Sequence, residues 1–183
     1  MQQEILNFWF NEATPDQWFT KDLNFDNQIK VKFLKAVSLA IADKLDDWAH
    51  DPRSCLALII LLDQFPRNLF RNDKLSFKND PKALKFCKHA INNAFIDQLA
   101  DEERLFALLP LIHSEDIKDH SIANQVLEKY LIKLPSFERI KKAWNDHTAV
   151  IERFGHYPHR NEILGRKSSE EEIAFLKEPN SSW

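Results

Sequence analysis

Three short stretches concentrate the side chains that could bind or transform a ligand. They are DQFPRN at 63–68, HSED at 113–116 and RFGHYPHRN at 153–161. In the first, Asp63 and Arg67 stand four residues apart, the spacing of an ion pair on one helical face. Pro66 lies between them and cannot donate to the carbonyl of Leu62. The helix is therefore expected to kink or end there and to present Arg67 and Asn68 to a cavity. The plain reading is a helix terminus stapled by its salt bridge. The functional one uses the planar fork of Arg67 to hold a carboxylate or phosphate.

In HSED, an unbroken helix would place His113, Asp116 and His120 on one face, a spacing that could seat a metal such as zinc. Against this, Ser114, Glu115 and Asp116 read as an N-cap and acidic first turn, which would leave His113 before the helix and break the face. The expectation is a helix start with a His–carboxylate hydrogen bond, and no metal. His147 lies on an apolar stripe between Trp144 and Ile151. It is expected either as a satisfied core residue or in a polar cavity, where burial lowers its pKa.

His159, Arg160 and Asn161 form the densest cluster, with Arg153 at the start of the same stretch. Successive helical residues differ in direction by about 100°, so only two of the three can face one ligand. The cluster serves either as a clamp for the terminal helix or as one wall of a pocket shared with Arg67 and the HSED carboxylates. So many Arg, His and carboxylate groups near helix ends are costly to bury unless paired or wet. A polar cavity would reconcile those facts.

The elements that must position these groups are helices. From Phe25 the apolar positions Phe25, Ile29, Phe33, Leu34, Val37, Ile41, Leu45 and Trp48 step by three and four, with Asp22 as N-cap. DPRS at 51–54 redirects the chain, and 53–65 reads as a uniformly apolar, central helix. Asp80-Pro81 opens a helix with the stripe Leu84, Cys87, Ala90, Ile91, Ala94, Phe95 and Leu99. A helix from about Asp101 is expected to bend or stop near Pro110, and another runs from about Glu115 to Leu134. The 136–154 helix carries Phe137, Ile140, Trp144, His147, Ile151 and Phe154 on one face. Ser168 with Glu171 suggests a capping box for a last helix through Leu176.

The chain has two glycines, Gly155 and Gly165, both in RFGHYPHRNEILGR at 153–166. Each suits the left-handed position that stops a helix, leaving a one-to-two-turn element from Pro158 to Leu164 between them. No segment alternates with period two. Short links predict one all-α domain over 1–183, built as stacked antiparallel helical hairpins in the manner of a tetratricopeptide-like superhelix. No regular tetratricopeptide period is visible.

Composition narrows the function. Twenty-five Lys and Arg face 28 Asp and Glu, a net charge of −3, so no basic excess favours nucleic acid. Cys55 and Cys87 fall in apolar segments and read as buried free thiols. The start, MQQEILNFWFNE, has no signal-peptide pattern, and the apolar run CLALIILL at 55–62 is too short to span a bilayer. A cytoplasmic protein without membrane association is expected.

The chain resembles the bacterial family known as domain of unknown function 924. The likeness rests on ILNFWF at 5–10, WF at 18–19, FD at 25–26, DQFPRN, HSED, RFGHYPHRN, ILGR at 163–166 and EEIAFLKEPNSSW at 171–183. It implies an all-helical, tetratricopeptide-like fold and supplies no activity. His156 and His120 fall at positions outside the family pattern and inherit nothing from it.

Three functions compete. The first is a binding module in which Arg67 and Arg160 anchor a small anionic ligand or a peptide terminus. Its candidate binding set is Asp63, Arg67, Asn68, His113, Glu115, Asp116, His147, Arg153, His159, Arg160 and Asn161. The second is a metal-independent hydrolase, with His113 or His159 as general base oriented by Glu115 or Asp116. No G-x-S-x-G, H-E-x-x-H or phosphate loop supports it, and no cofactor is implied. The third is a scaffold binding another protein on a helical face. An exposed patch of Trp9, Trp18 and Phe19 would favour it, although core packing is the expectation for those rings.

Overall fold

A computed structural model describes residues 1–179, 181 and 182; Asn180 and Trp183 of the EEIAFLKEPNSSW motif lie outside the described residues. The described residues are helical, with no strand. The longer helices are α3 (Leu23–Ile41), α4 (Pro52–Leu69), α5 (Asp80–Asn92), α6 (Asp101–His113), α7 (Ile117–Leu131) and α8 (Phe137–Phe154). Short ones are α1 (Gln2–Asn7), continued by a π-helical turn over Phe8–Glu12, α2 (Pro15–Phe19), α9 (Asn161–Leu164) and α10 (Glu170–Phe175). Each long helix packs on the next in the chain, from α3 through α8, and α4 also touches α1 and α6. The result is a stack of helical hairpins with α4 at its centre.

The sequence explains most of the boundaries. Asp22 caps α3 by accepting from the amides of Asn24 and Phe25, and Asp51 caps α4 through Arg53 and Ser54. Pro52 and Pro81 sit in the first turns of α4 and α5, where a missing N–H costs nothing. Gly155 (φ 72°) ends α8 and Gly165 (φ 69°) ends α9, both left-handed. Between them, a 3₁₀ turn at Pro158–Arg160 runs into α9. The apolar stripe that begins at Phe25 outlasts its helix. α3 stops at Ile41, Asp43 turns left-handed at φ 60°, and Leu45 and Trp48 follow in or before a 3₁₀ turn.

Neither internal proline ends its helix. α4 continues through Pro66 to Leu69, with the amide of Phe70 bonding to the carbonyl of Pro66. Every residue from Cys55 to Pro66 is buried, and the Arg67 guanidinium also bonds to the carbonyl of Asp63. Packing on all sides outweighs the roughly 3 kcal/mol that an interior proline costs. α6 likewise passes Pro110, within a run buried from Leu105 to Ile112, and stops at His113.

Two caps fall one or two residues later than the sequence suggested. Asp116, rather than Ser114, caps α7 by accepting from the amide of Lys118. Ser169 with Glu172, rather than Ser168 with Glu171, forms the capping box of α10. Glu172 is needed on the inner side, where it also holds Asn161 and His156.

A continuous apolar core runs from Ile5 to Trp144, with Phe8, Trp9, Phe25, Phe33, Phe65 and Phe106 stacked edge and face at its N-terminal end. Val150, Ile151 and Tyr157 form a smaller cluster beneath the terminal helices. Cys55 and Cys87 are buried and unbridged. No helix among the described residues is long and apolar enough to cross a membrane.

Candidate functional site

The last turn of α4, the first of α5, the end of α6 and the 3₁₀ turn before α9 meet around one carboxylate, Asp80. The Arg67 guanidinium donates to both its oxygens at 3.1 Å, and Arg160 Nη1 donates to Oδ2, also at 3.1 Å. Arg67 further pairs with Asp63 at 3.3 Å, as the four-residue spacing requires. Asp63 is wholly buried, and its Oδ1 lies 2.7 Å from Nδ1 of His113. Arg160 Nη2 donates to the backbone carbonyl of His113 at 3.1 Å. DQFPRN, HSED and the HRN cluster therefore converge, through a residue that belongs to none of them.

Burial and charge compete at this hub. Burial alone would raise the Asp63 carboxyl, but Arg67 and His113 outweigh it and hold the group well below the usual carboxylate range. Burial pushes His113 down, with Asp63 opposing and Arg67 assisting. Burial, then the cation of Arg160, takes His159 down to about 3. His147 falls to about 3 for the same first reason, against the opposing backbone hydrogen bond from its ring to Ala143. The imidazoles of His147 and His159 are neutral at pH 7.

The hub opens onto a cleft of about 870 Å³. Arg67, Asn68, His113, His147, His159 and Arg160 line it. So do Lys21, Arg71 and Arg139, the aromatic rings of Trp18, Phe19, Phe77, Trp144 and Tyr157, and a set of Leu and Ile side chains. No aspartate or glutamate is among the described lining residues; Asp63, Asp80 and Asp26 satisfy the arginines from outside the lining.

The other candidates of the binding set are tethers. Glu115 accepts from Arg166 at 2.7 and 3.0 Å and from the amide of Tyr157 at 2.9 Å. Its carboxyl sits low because these donors outweigh its partial burial. Asn161 donates to Ser168 and to Glu172, and Arg153 pairs with Glu171 on an exposed face. Asp116 is spent as an exposed N-cap, away from the cleft. The directional constraint within HRN is met as follows: His159 and Arg160 face the cleft, and Asn161 faces the terminal helix.

The proposed catalytic orienters change accordingly. Asp63, not Glu115 or Asp116, holds His113, because His113 ends α6 while the two acids belong to the following turn and cap. His120 turns to Thr148 and the carbonyl of Ser114, so the face it would share with His113 and Asp116 does not form. An Asp–His pair can orient an imidazole as a base. Among the described residues, however, no serine or cysteine is hydrogen-bonded to His113, and the hydroxyls of Ser76 and Tyr157 donate to backbone carbonyls. Of the aromatic residues considered for a partner surface, Trp9 is buried, Trp18 packs against Phe106, and Phe19 is 57% exposed.

Asp80, Phe77, Tyr157, Arg166 and Glu172 were not candidates on sequence. Asp80 carried the one usable signal, an acid at the start of a helix. Helix capping explains such an acid fully, and nothing local says that two distant arginines converge on it.

A helical-hairpin stack with an arginine-lined cleft, to which no aspartate or glutamate among the described residues contributes, is the class of molecule these features define. The chain matches, over residues 5–180, the family described as bacterial protein of unknown function, DUF924, and belongs to it. A solved structure of a protein of unknown function from Agrobacterium tumefaciens is similar at 36% identity. It has a TM-score of 0.86, with 96% of each chain covered. No curated protein matches the chain.

Proposed function

We propose that this protein binds a small anionic ligand in the cleft beside Asp80. The observation that carries the reading is the sign of the lining: Lys21, Arg67, Arg71, Arg139 and Arg160 reach it, and no described carboxylate does. A hydrolase reading would need a nucleophile or a held water near His113, and the hydroxyls of Thr20, Ser76 and Tyr157 in the lining donate to backbone carbonyls. A protein-scaffold reading would need a continuous exposed aromatic face, and only Phe19 of the three candidate rings offers one.

The test separates ligand cations from structural ones. Among the described residues, Lys21 and Arg139 make no ion pair, so replacing them perturbs the fold little. Citrate is expected to raise the melting temperature of the wild type, because a ligand that binds only the native state stabilises it by mass action. The Lys21→Gln/Arg139→Gln double variant is expected to lose at least half of that rise. Arg153→Gln, which removes a cation paired outside the cleft, is expected to keep all of it. Equal citrate responses in the three proteins would sink the reading.

A further inference from the structure

We propose that the ligand of this cleft is an aromatic carboxylate without an amino group. The inference rests on the anion-binding reading above and names the ligand's class.

The argument begins with Arg160, whose side chain is 7% exposed. Its guanidinium lies between two rings, 4.5 Å from the centroid of Phe77 and 4.7 Å from that of Tyr157. Two aromatic rings thus pack against the guanidinium, and anions meet a guanidinium in its plane. Two of its in-plane donors are committed, Nη1 to Asp80 and Nη2 to the carbonyl of His113. Nε is buried and has no acceptor. Arg166 also leaves its Nε unmet, but it does not line the cleft. The Arg160 guanidinium is enclosed, so the exposed cations left for a ligand are those of Lys21 and Arg139, two single groups that suit a carboxylate. A phosphate, with three oxygens to satisfy, calls for a cradle of several donors.

The body of the ligand follows from the rest of the lining. A cleft of about 870 Å³ is far larger than an inorganic anion and falls in the range that holds small organic molecules. Trp18 and Phe19 give it aromatic surface a ligand can meet, with the buried rings of Trp144 and Tyr157 behind. Flat rings stack on such a surface, edge or face, with a gain beyond simple burial. Phe19, at 57% exposure, is an aromatic ring at this cleft that the fold leaves largely uncovered.

The same lining argues against an amine. An ammonium group brought to the cleft would meet the cations of Lys21 and Arg139, with no described aspartate or glutamate in the lining to neutralise it. A free aromatic amino acid is therefore a poor ligand, and its deaminated acid a good one.

Isothermal titration calorimetry of the full chain at pH 7.5 tests this with five probes: indole-3-acetate, indole-3-acetamide, L-tryptophan, acetate and phosphate. Indole-3-acetate is expected to bind at least tenfold more tightly than each of the others. Phe19→Ala, a change at a largely exposed position, is expected to weaken indole-3-acetate several-fold while leaving the citrate response intact. If acetate or phosphate binds as tightly as indole-3-acetate, the aromatic class is overturned and the anion reading stands. If L-tryptophan matches the acid, the exclusion of amines is overturned. If the neutral amide matches the acid, or if no probe binds, this proposal falls, and the citrate response decides the anion reading separately.

Discussion

The same residue types serve opposite ends in two neighbouring regions. Around Asp80, arginines from α4 and from the turn before α9 converge on a shared carboxylate, and their outer sides form the wall of a cleft. Around Glu115 and Glu172, the arginine and asparagine donors are turned inward on acids that close the chain upon itself. Arg166 and the Tyr157 amide meet Glu115, while Asn161 and His156 meet Glu172. The tether spends its cations on the protein. The hub holds its cations in place with acids that stay out of the lining. An arginine near a helix end is thus no evidence of a site until the position of its counter-charge is known.

The sharpest way to break this comparison is to remove the acid at the hub. Asp80 accepts from two guanidiniums and is 9% exposed, while Arg160 is 6% exposed. Asp80→Ala would leave the buried Arg160 without a carboxylate partner and Arg67 with Asp63 alone. The expected loss is about 3–5 kcal/mol of unfolding free energy, the range for breaking a buried pair. Glu115→Ala, at an acid whose side chain is 27% exposed, should cost clearly less, because water reaches the groups it abandons. Urea titration of both variants checks the order. Equal costs would mean that hub and tether are energetically one structure.

A pH series sharpens the same contrast, since the two regions lose stability in different windows. His147 and His159 have folded pKa values pushed down to about 3, so the unfolded chain protonates first. Their contribution is complete above about pH 6.5 and declines as the pH falls below it, by up to about 1.4 kcal/mol per pH unit for each group. Glu172 moves the other way in charge terms. The backbone hydrogen bond from Ser169, more than the side-chain bonds from Asn161, Ser169 and His156, lowers it to about 2. Its contribution is complete above its ordinary value of 4.5 and is lost as the pH falls towards 2. Stability measured from pH 7.5 to 3 should therefore fall first through the cleft. His159→Asn should flatten the limb between pH 6.5 and 4.5, and Glu172→Gln should flatten only the limb below 4.5. A change in the slope of stability with pH near pH 6 on Glu172→Gln, as opposed to a constant offset there, would contradict the assignment.

What was legible in the sequence follows the same physical divide. Helices show in a chain because burial repeats every three to four residues. Their ends show because Asp22, Asp51, Gly155 and Gly165 act on their own neighbours. The ion pair of Asp63 with Arg67 was readable for the same reason. Asp80 with Arg160, eighty residues apart, and Asp63 with His113, fifty apart, were not, because only the packing of α4, α5 and α6 brings them together. The two prolines misled in the opposite direction. A local rule that ends helices at Pro66 and Pro110 was overridden by tertiary burial of the runs from Cys55 to Pro66 and from Leu105 to Ile112.

The smallest expected effect concerns the hinge between the two regions. Gly155 ends α8 at φ 72°, and its amide bonds to the carbonyl of Ile151 at 2.8 Å. From here the chain leaves the helix that carries His147 and enters the turn that carries His159 and Arg160. A Cβ at this position would meet nothing within 4 Å, so a substitution is opposed by the backbone conformation alone and not by a clash. That makes the position a clean measure of left-handed strain. Asparagine tolerates the left-handed region and valine does not. Gly155→Val should therefore be less stable than Gly155→Asn by roughly 1 kcal/mol or more. Chemical denaturation gives the difference directly, and equal stabilities would show that the helix stop does not depend on this conformation. Because the turn beyond Gly155 sets where Arg160 meets Asp80, Gly155→Val should also weaken the citrate response. Gly155→Asn should leave it near that of the wild type.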